Sequence, residues 1–238
     1  MFGLLLEYRR KILMFWITVG IIACLLAWLY HKQQPIKSIL MEEEMIDHLT
    51  NEEKGRVGEE EIAQFLKKLP GKFLLYNNFY LPIDAEKNTE IDLLMVHEKG
   101  IFVFESKNYA GVIEGVSHDH FWTKSFSATY NQRFYNPIKQ NDTHIRALKN
   151  IIGPYEVFNI VVFGREASLK VESMPTPDVY VCKITQLEFL YDLLGILPKQ
   201  ISLEIIRDEL VQIEPVDWEM KQQHIERLQS RYGHKAIS

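Results

Sequence analysis

Asp92, Glu105 and Lys107 are the residues whose types and spacing point to chemistry. Asp92 sits in Glu90-Ile91-Asp92-Leu93-Leu94-Met95-Val96, and Glu105-Ser106-Lys107 closes the hydrophobic run Gly100-Ile101-Phe102-Val103-Phe104. In a strand, side chains at i and i+2 project to the same face. Glu105 and Lys107 are therefore expected together, beside Asp92 if the two strands pair. The chemistry that fits is phosphodiester cleavage, which builds negative charge around phosphorus and on the leaving oxygen. One or two Mg²⁺ ions can stabilise that charge and activate a water. Mg²⁺ takes hard oxygen ligands, only a few of them from protein. Asp92 and Glu105 are suitable metal ligands, with the Ser106 carbonyl as a third donor, and Mn²⁺ would accept the same set. Lys107 would orient or deprotonate the attacking water, or stabilise transition-state charge; a base role needs its pKa lowered by burial. An ion pair at a strand end would also account for Glu105 and Lys107 taken alone.

The elements that must position these residues are legible from periodicity. Ile62, Ala63, Phe65, Leu66 and Leu69 recur at helical spacing after Gly55-Arg56-Val57-Gly58-Glu59, and Pro70-Gly71 stops that helix. Strands are predicted over 73–81, 90–96, 100–106, 112–116 and 121–124, with turns at Glu98-Lys99-Gly100 and Ala110-Gly111. A helix is predicted from Pro137 to about Ile152, with Asn136 as its cap and Pro137 at its first position. Further strands are expected over 157–163 and 178–182, then helices over 187–194, 202–213 and 218–231. Helix, a group of strands, helix, strand implies an α/β or α+β sandwich.

In order and spacing, Gly55-x-x-Gly58-Glu59, Glu90-Ile91-Asp92, Glu105-x-Lys107-Asn108, Gly111, Trp122 and Asn136-Pro137-x-x-Gln140 resemble the nuclease-related domain (NERD) family. That family is a branch of the PD-(D/E)xK restriction-endonuclease-like superfamily. The resemblance covers residues 53–165. It implies an α/β restriction-endonuclease-like core, a mixed central sheet flanked by helices, and a metal-dependent nuclease of DNA or RNA with a role in DNA processing. By the same resemblance Glu59 completes the acidic cluster of Asp92 and Glu105, and Gln140 contacts substrate or the metal's water. Three acids follow one another at Glu59-Glu60-Glu61; Glu59 is chosen because it directly follows Gly58. The plainer readings are a first-turn acid for Glu59, a surface residue for Gln140, structural or surface histidines at His118, His120 and His144, and a core role for Trp122.

Composition bounds the remainder. The 238 residues allow one good core and an appendage. Cys24 and Cys182 provide no disulfide framework, and no Cys/His cluster has zinc-site spacing. Residues 12–30 carry no charge, close to the roughly 20 apolar residues a helix needs to span a bilayer. Trp16, Trp28 and Tyr30 lie near the ends of that run, where aromatic rings favour the headgroup zone. The expectation is an uncleaved membrane anchor over 1–32, then a linker over 33–52 and, after the nuclease-like domain, a mainly helical extension over 166–238. A cleaved signal peptide is the alternative. Positive charges flank the run on both sides; nucleic-acid chemistry argues for a cytoplasmic C-terminal domain. The first 40 residues hold five Lys/Arg and one Glu, leaving 22 basic and 31 acidic residues, a net charge of −9. That balance disfavours a general, non-specific nucleic-acid binder. Lys107, Lys124, Arg133, Lys139, Arg146 and Lys149 are candidates for a local basic rim, and the C-terminal helices are candidates for a protein partner.

Overall fold

The computed structural model describes residues 51–83, 87–127, 130–172 and 176–211. The expected anchor over 12–30, nearly all of the linker and the helix over 218–231 lie outside the described residues. Among the described residues, no helix is long and apolar enough to cross a membrane.

Among the described residues the fold is mixed α/β, with two sheets and four α-helices. Helix α1 (Asn51–Leu66) leads into β1 (Phe73–Pro82), β2 (Asn88–His97) and β3 (Gly100–Lys107). Then come β4 (Gly111–Gly115), β5 (Phe121–Ser127), β6 (Tyr130–Tyr135) and helix α2 (Pro137–Ile152). The described chain closes with β7 (Val157–Phe163), β8 (Ala167–Val171), β9 (Val179–Lys183), α3 (Phe189–Ile196) and α4 (Leu203–Val211). The larger sheet has the order β1-β2-β3-β7-β9, antiparallel across the first three strands and parallel from β3 to β9. The smaller has the order β6-β5-β4-β8.

Both faces of the larger sheet are covered, as its near-continuous apolar strands require. On one face Leu93, Met95, Phe102 and Phe104 pack with Ile62, Ala63 and Leu66 of α1 and Leu190 and Leu194 of α3. On the other, Leu94, Val96, Ile101 and Val103 pack with Ile145 and Leu148 of α2 and Ile206 and Leu210 of α4. The smaller sheet packs through Ile113 and Trp122 onto Ile138, Val161 and Phe163. Trp122 is a core residue, 1 % exposed, with its indole N–H on the Val116 carbonyl at 2.9 Å.

Two strands had not been anticipated. β6 (Tyr-Asn-Gln-Arg-Phe-Tyr) is an edge strand exposed along nearly its whole length, so it carries no apolar alternation to read. β8 is five residues long and joins β4 across a wide sequence gap. With β9 it means that the segment after residue 165 supplies a strand to each sheet as well as helices. Helix α1 already includes Asn51, so Gly55 and Gly58 lie inside it rather than at its entrance.

The pleat of the larger sheet turns over at one residue. Leu74 and Tyr76 face the α2 side, and so do Phe79 and Leu81, although alternation would send the latter pair to the other side. Asn78 lies between the two pairs with a left-handed backbone, φ 51°. On the facing strand Ile91 shares the α2 side with Leu94 and Val96, so the inversion there passes through Asp92 and Leu93. One left-handed residue changes which side the following residues present, and Asn tolerates that conformation better than most.

Candidate active site

Strands β2 and β3 pair in register from His97↔Gly100 to Leu93↔Phe104, and one further step places Asp92 across from Glu105. The backbone ladder stops there. The Ser106 N–H donates instead to Asp92 Oδ2 at 2.7 Å, so the carboxylate takes the place of a ladder partner. β3 continues through Lys107 by pairing with β7. The two carboxylates and the lysine therefore gather where β2 and β3 part.

Glu105 is fully buried, 0 % exposed. Lys107 Nζ is paired with Glu105 Oε1. His144 Nε2 lies 3.2 Å from Glu105 Oε2. A carboxylate can only accept, so Nε2 carries the proton, and Nδ1 lies 2.6 Å from the Thr89 hydroxyl. His144 is thus a buried residue that positions Glu105. The turn that presents it is fixed by Asn141, whose amide donates to the Val103 carbonyl at 2.8 Å and to Asn159 Oδ1 at 2.9 Å. Asn136 caps this helix, its Oδ1 accepting from the Ile138 N–H at 2.9 Å, while its amide holds the Ser117 and Asp119 carbonyls.

Glu59 arrives from α1. Gly58 makes this possible: a Cβ there would lie 3.3 Å from both Asn108 Cβ and Ser106 Oγ. Asn108 locks the approach by donating to the Lys54 carbonyl at 2.7 Å. Gly164 leaves room for the same amide, since a Cβ there would sit 2.3 Å from Asn108 Oδ1. Among the three successive acids, Glu59 is the one that faces the site. Glu60 is exposed and bonded to Gln64, and Glu61 pairs with Arg165 on the surface. Asn78 donates to Glu59 Oε2 at 3.0 Å.

Glu90 adds a fourth carboxylate, its Oε2 accepting from the Tyr80 hydroxyl at 2.6 Å. Asn78, Tyr80, Glu90, Thr89 and His144 all support the acidic group, and none of them stood out as a site residue in the sequence. Glu90 was visible within Glu90-Ile91-Asp92; Asn78 offered only the signal of a strand breaker inside an apolar run. Gln140 lies one turn before His144 on α2, half-buried. Among the described residues no hydrogen bond joins its side chain to the acidic group. His118 and His120 are exposed.

The electrostatics are those of crowded acids around one cation. Asp92 keeps some exposed surface, but its carboxylate sits deep among protein atoms; that burial, and then the charge of Glu105, raise its pKa well above the usual range. Burial also raises Glu59, with Glu90 and Glu105 adding to the effect against the Asn78 hydrogen bond. For Glu105, burial is outweighed by Lys107 and His144, and the pKa falls. For Lys107, burial works downward, yet the pull of Glu105 and Asp92 wins and holds the ammonium above its ordinary value. The sequence left a base or a cation open for Lys107; in this arrangement it is a cation.

Among the described residues, no three His, Cys, Asp or Glu side chains form a ready-made ion cage. The donors nevertheless fit Mg²⁺, which needs only one or two carboxylates and completes its shell with water. The raised pKa of Asp92 marks negative charge held at a cost, which a divalent cation beside it would relieve.

Comparison with known proteins agrees with this picture. The chain is similar to an uncharacterized protein of Bacillus anthracis, 25 % identical over 189 residues that cover 76 % of this chain and 86 % of that protein. No solved structure matches it. Residues 54–164 match the nuclease-related domain family, a span that takes in Glu59, Asp92, Glu105, Lys107 and Gln140. Residues 54–164 are thus similar to the nuclease-related domain family, and the acidic group around Lys107 lies within that stretch.

Proposed function

We propose that this protein is a membrane-anchored, Mg²⁺-dependent nuclease that hydrolyses phosphodiester bonds in DNA or RNA, on a restriction-endonuclease-like core. The observation that supports it most is the meeting of Asp92, Glu105 and Lys107 where β2 and β3 separate, with Glu59 delivered by α1. Asp92 and Glu105 would hold the cation, with Glu59 at its edge. When bound, Mg²⁺ or Mn²⁺ supplies positive charge for the scissile phosphate and acidifies water. Lys107, held protonated by its neighbours, orients water and stabilises charge on the phosphate. His144 and Thr89 fix the rotamer of Glu105, and Asn78 fixes Glu59. Gln140, at the start of α2, would contact substrate.

The uncharged run over 12–30 would tether the domain to the bilayer, with the catalytic part facing the cytoplasm. A second reading, a non-catalytic nucleic-acid-binding or scaffold module on the same fold, is favoured by the net charge of −9 outside the first 40 residues. Mg²⁺-dependent cleavage by the full-length protein, set beside its Asp92→Asn variant, separates the two. Cleavage lost in the variant supports the nuclease. Equal cleavage by both would remove Asp92 from the site, and no cleavage by either with DNA and RNA favours the scaffold.

A further inference from the structure

The hairpin of β5 and β6 carries aromatic surface that the core does not use. Phe126 and Tyr130 are 51 % and 58 % exposed, and their rings lie 5.8 Å apart. Phe126 is the extra residue of a bulge, since Ser125 pairs with Asn131 and Ser127 with Tyr130. Bulges re-aim side chains, and Phe126 here lies within reach of Lys124. Lys124 Nζ lies 5.5 Å from the Phe126 ring centre and 4.0 Å from that of Tyr109. Tyr109 follows Lys107 by two residues, and its backbone N–H donates to the Lys107 carbonyl at 2.8 Å. Tyr130, Phe126, Lys124 and Tyr109 thus form a row that ends beside the acidic group.

Two features say what such a row would take. Planar rings with free faces stack on bases of any sequence, but only on bases not already stacked in a duplex. Lys124 has no carboxylate partner among the described residues, and burial disfavours its charged form, a penalty that an anion placed beside it would offset. Three rings and one cation on an otherwise acidic protein match a chain of unpaired bases linked by phosphates.

We propose that Tyr130, Phe126, Lys124 and Tyr109 form a binding site for single-stranded nucleic acid that leads the strand into the acidic group. The proposal rests on the nuclease reading above and narrows its substrate to unpaired strands. The shared chemistry is unpaired bases and phosphates, whether on deoxyribose or ribose.

The test is fluorescence anisotropy of the full-length protein in EDTA. Its probes are oligothymidylate, oligouridylate and a mixed-sequence duplex, each of about 20 nucleotides per strand, longer than a typical single-strand site. The expected result is that one of the single strands binds more tightly than the duplex. Phe126→Ala with Tyr130→Ala then weakens that binding about tenfold or more, and Phe126→Trp retains it. Comparing the two single strands identifies the sugar. Equal single-strand affinity in the double alanine variant, a preference for duplex, or no binding overturns the proposal. Cleavage is scored separately with Mg²⁺. Ring-dependent binding without any cleavage keeps this site and sinks the nuclease reading, whereas cleavage with binding indifferent to the rings does the reverse.

Discussion

The side chain of Asn78 donates to Glu59 Oε2 at 3.0 Å while its own backbone is left-handed, at φ 51°. One residue both turns the β1 pleat over and holds the acid that α1 delivers. The two roles separate by substitution. Asn78→Gly keeps the conformation without strain and loses the amide. Asn78→Ala loses the amide and adds about 1–2 kcal/mol of backbone strain. Urea unfolding is expected to rank wild type, Gly and Ala in falling stability. Mg²⁺-dependent cleavage should drop in both variants alike. Full activity in Asn78→Gly would show that Glu59 needs no such support.

Asp92 sets function against stability. Its carboxyl is raised by burial and by Glu105, so the folded state favours the protonated form. Stability from this group is full below the ordinary carboxylate pKa and is lost as pH rises through the raised one. Asp92→Asn keeps an oxygen for the Ser106 N–H and removes the charge. In EDTA at neutral pH the variant should melt about 2–4 °C higher than wild type, with the gap closing toward acidic pH. Mg²⁺ should raise the melting temperature of wild type and leave the variant unmoved. A variant that melts lower at every pH would contradict this account.

His144 is expected to matter through Glu105. Truncation to Ala removes the proton donor to Glu105 and strands the Thr89 hydroxyl, with an expected loss of about 1–3 kcal/mol. His144→Gln, which can still donate to the carboxylate, should recover part of both stability and cleavage. If Ala and Gln behave alike in denaturation and in cleavage rate, the bond to Glu105 is not what His144 contributes.

Cys182 is buried, and that burial pushes its thiol up to about 12. The thiolate is the reactive form. Near pH 8 its population should be lower than that of an ordinary cysteine by about three orders of magnitude. A Cys24→Ser protein should therefore resist a thiol reagent when folded and react promptly in denaturant. Rapid labelling under native conditions would place Cys182 nearer solvent than this packing allows.

Most of the secondary structure was legible because its residues have a clear apolar period. The helix of α2, with Asn136 and Pro137 at its start, and the strand Val157–Phe163 follow from local pattern alone. β6 was illegible because an exposed edge strand is selected for polarity rather than alternation. Asp92, Glu105 and Lys107 were nameable from residue type and order, and Glu59 and Gln140 through the family resemblance, although Gln140 makes no bond to the acidic group among the described residues.

The sequence by itself determined which acids and which lysine this domain carries, and that they sit at strand ends and on a first helix, because residue type and short-range period act locally. Only the tertiary structure decided how they meet. The parting of β2 and β3 gives Ser106 to Asp92, and Gly58 lets α1 close on Asn108. α2 brings His144 to Glu105, and Asn78 turns the pleat. The same packing decides that Lys107 is a cation, since its protonation depends on the carboxylates that the fold places around it. Charge interactions of that kind depend on distance in space, which the spacing of residues along the chain does not encode.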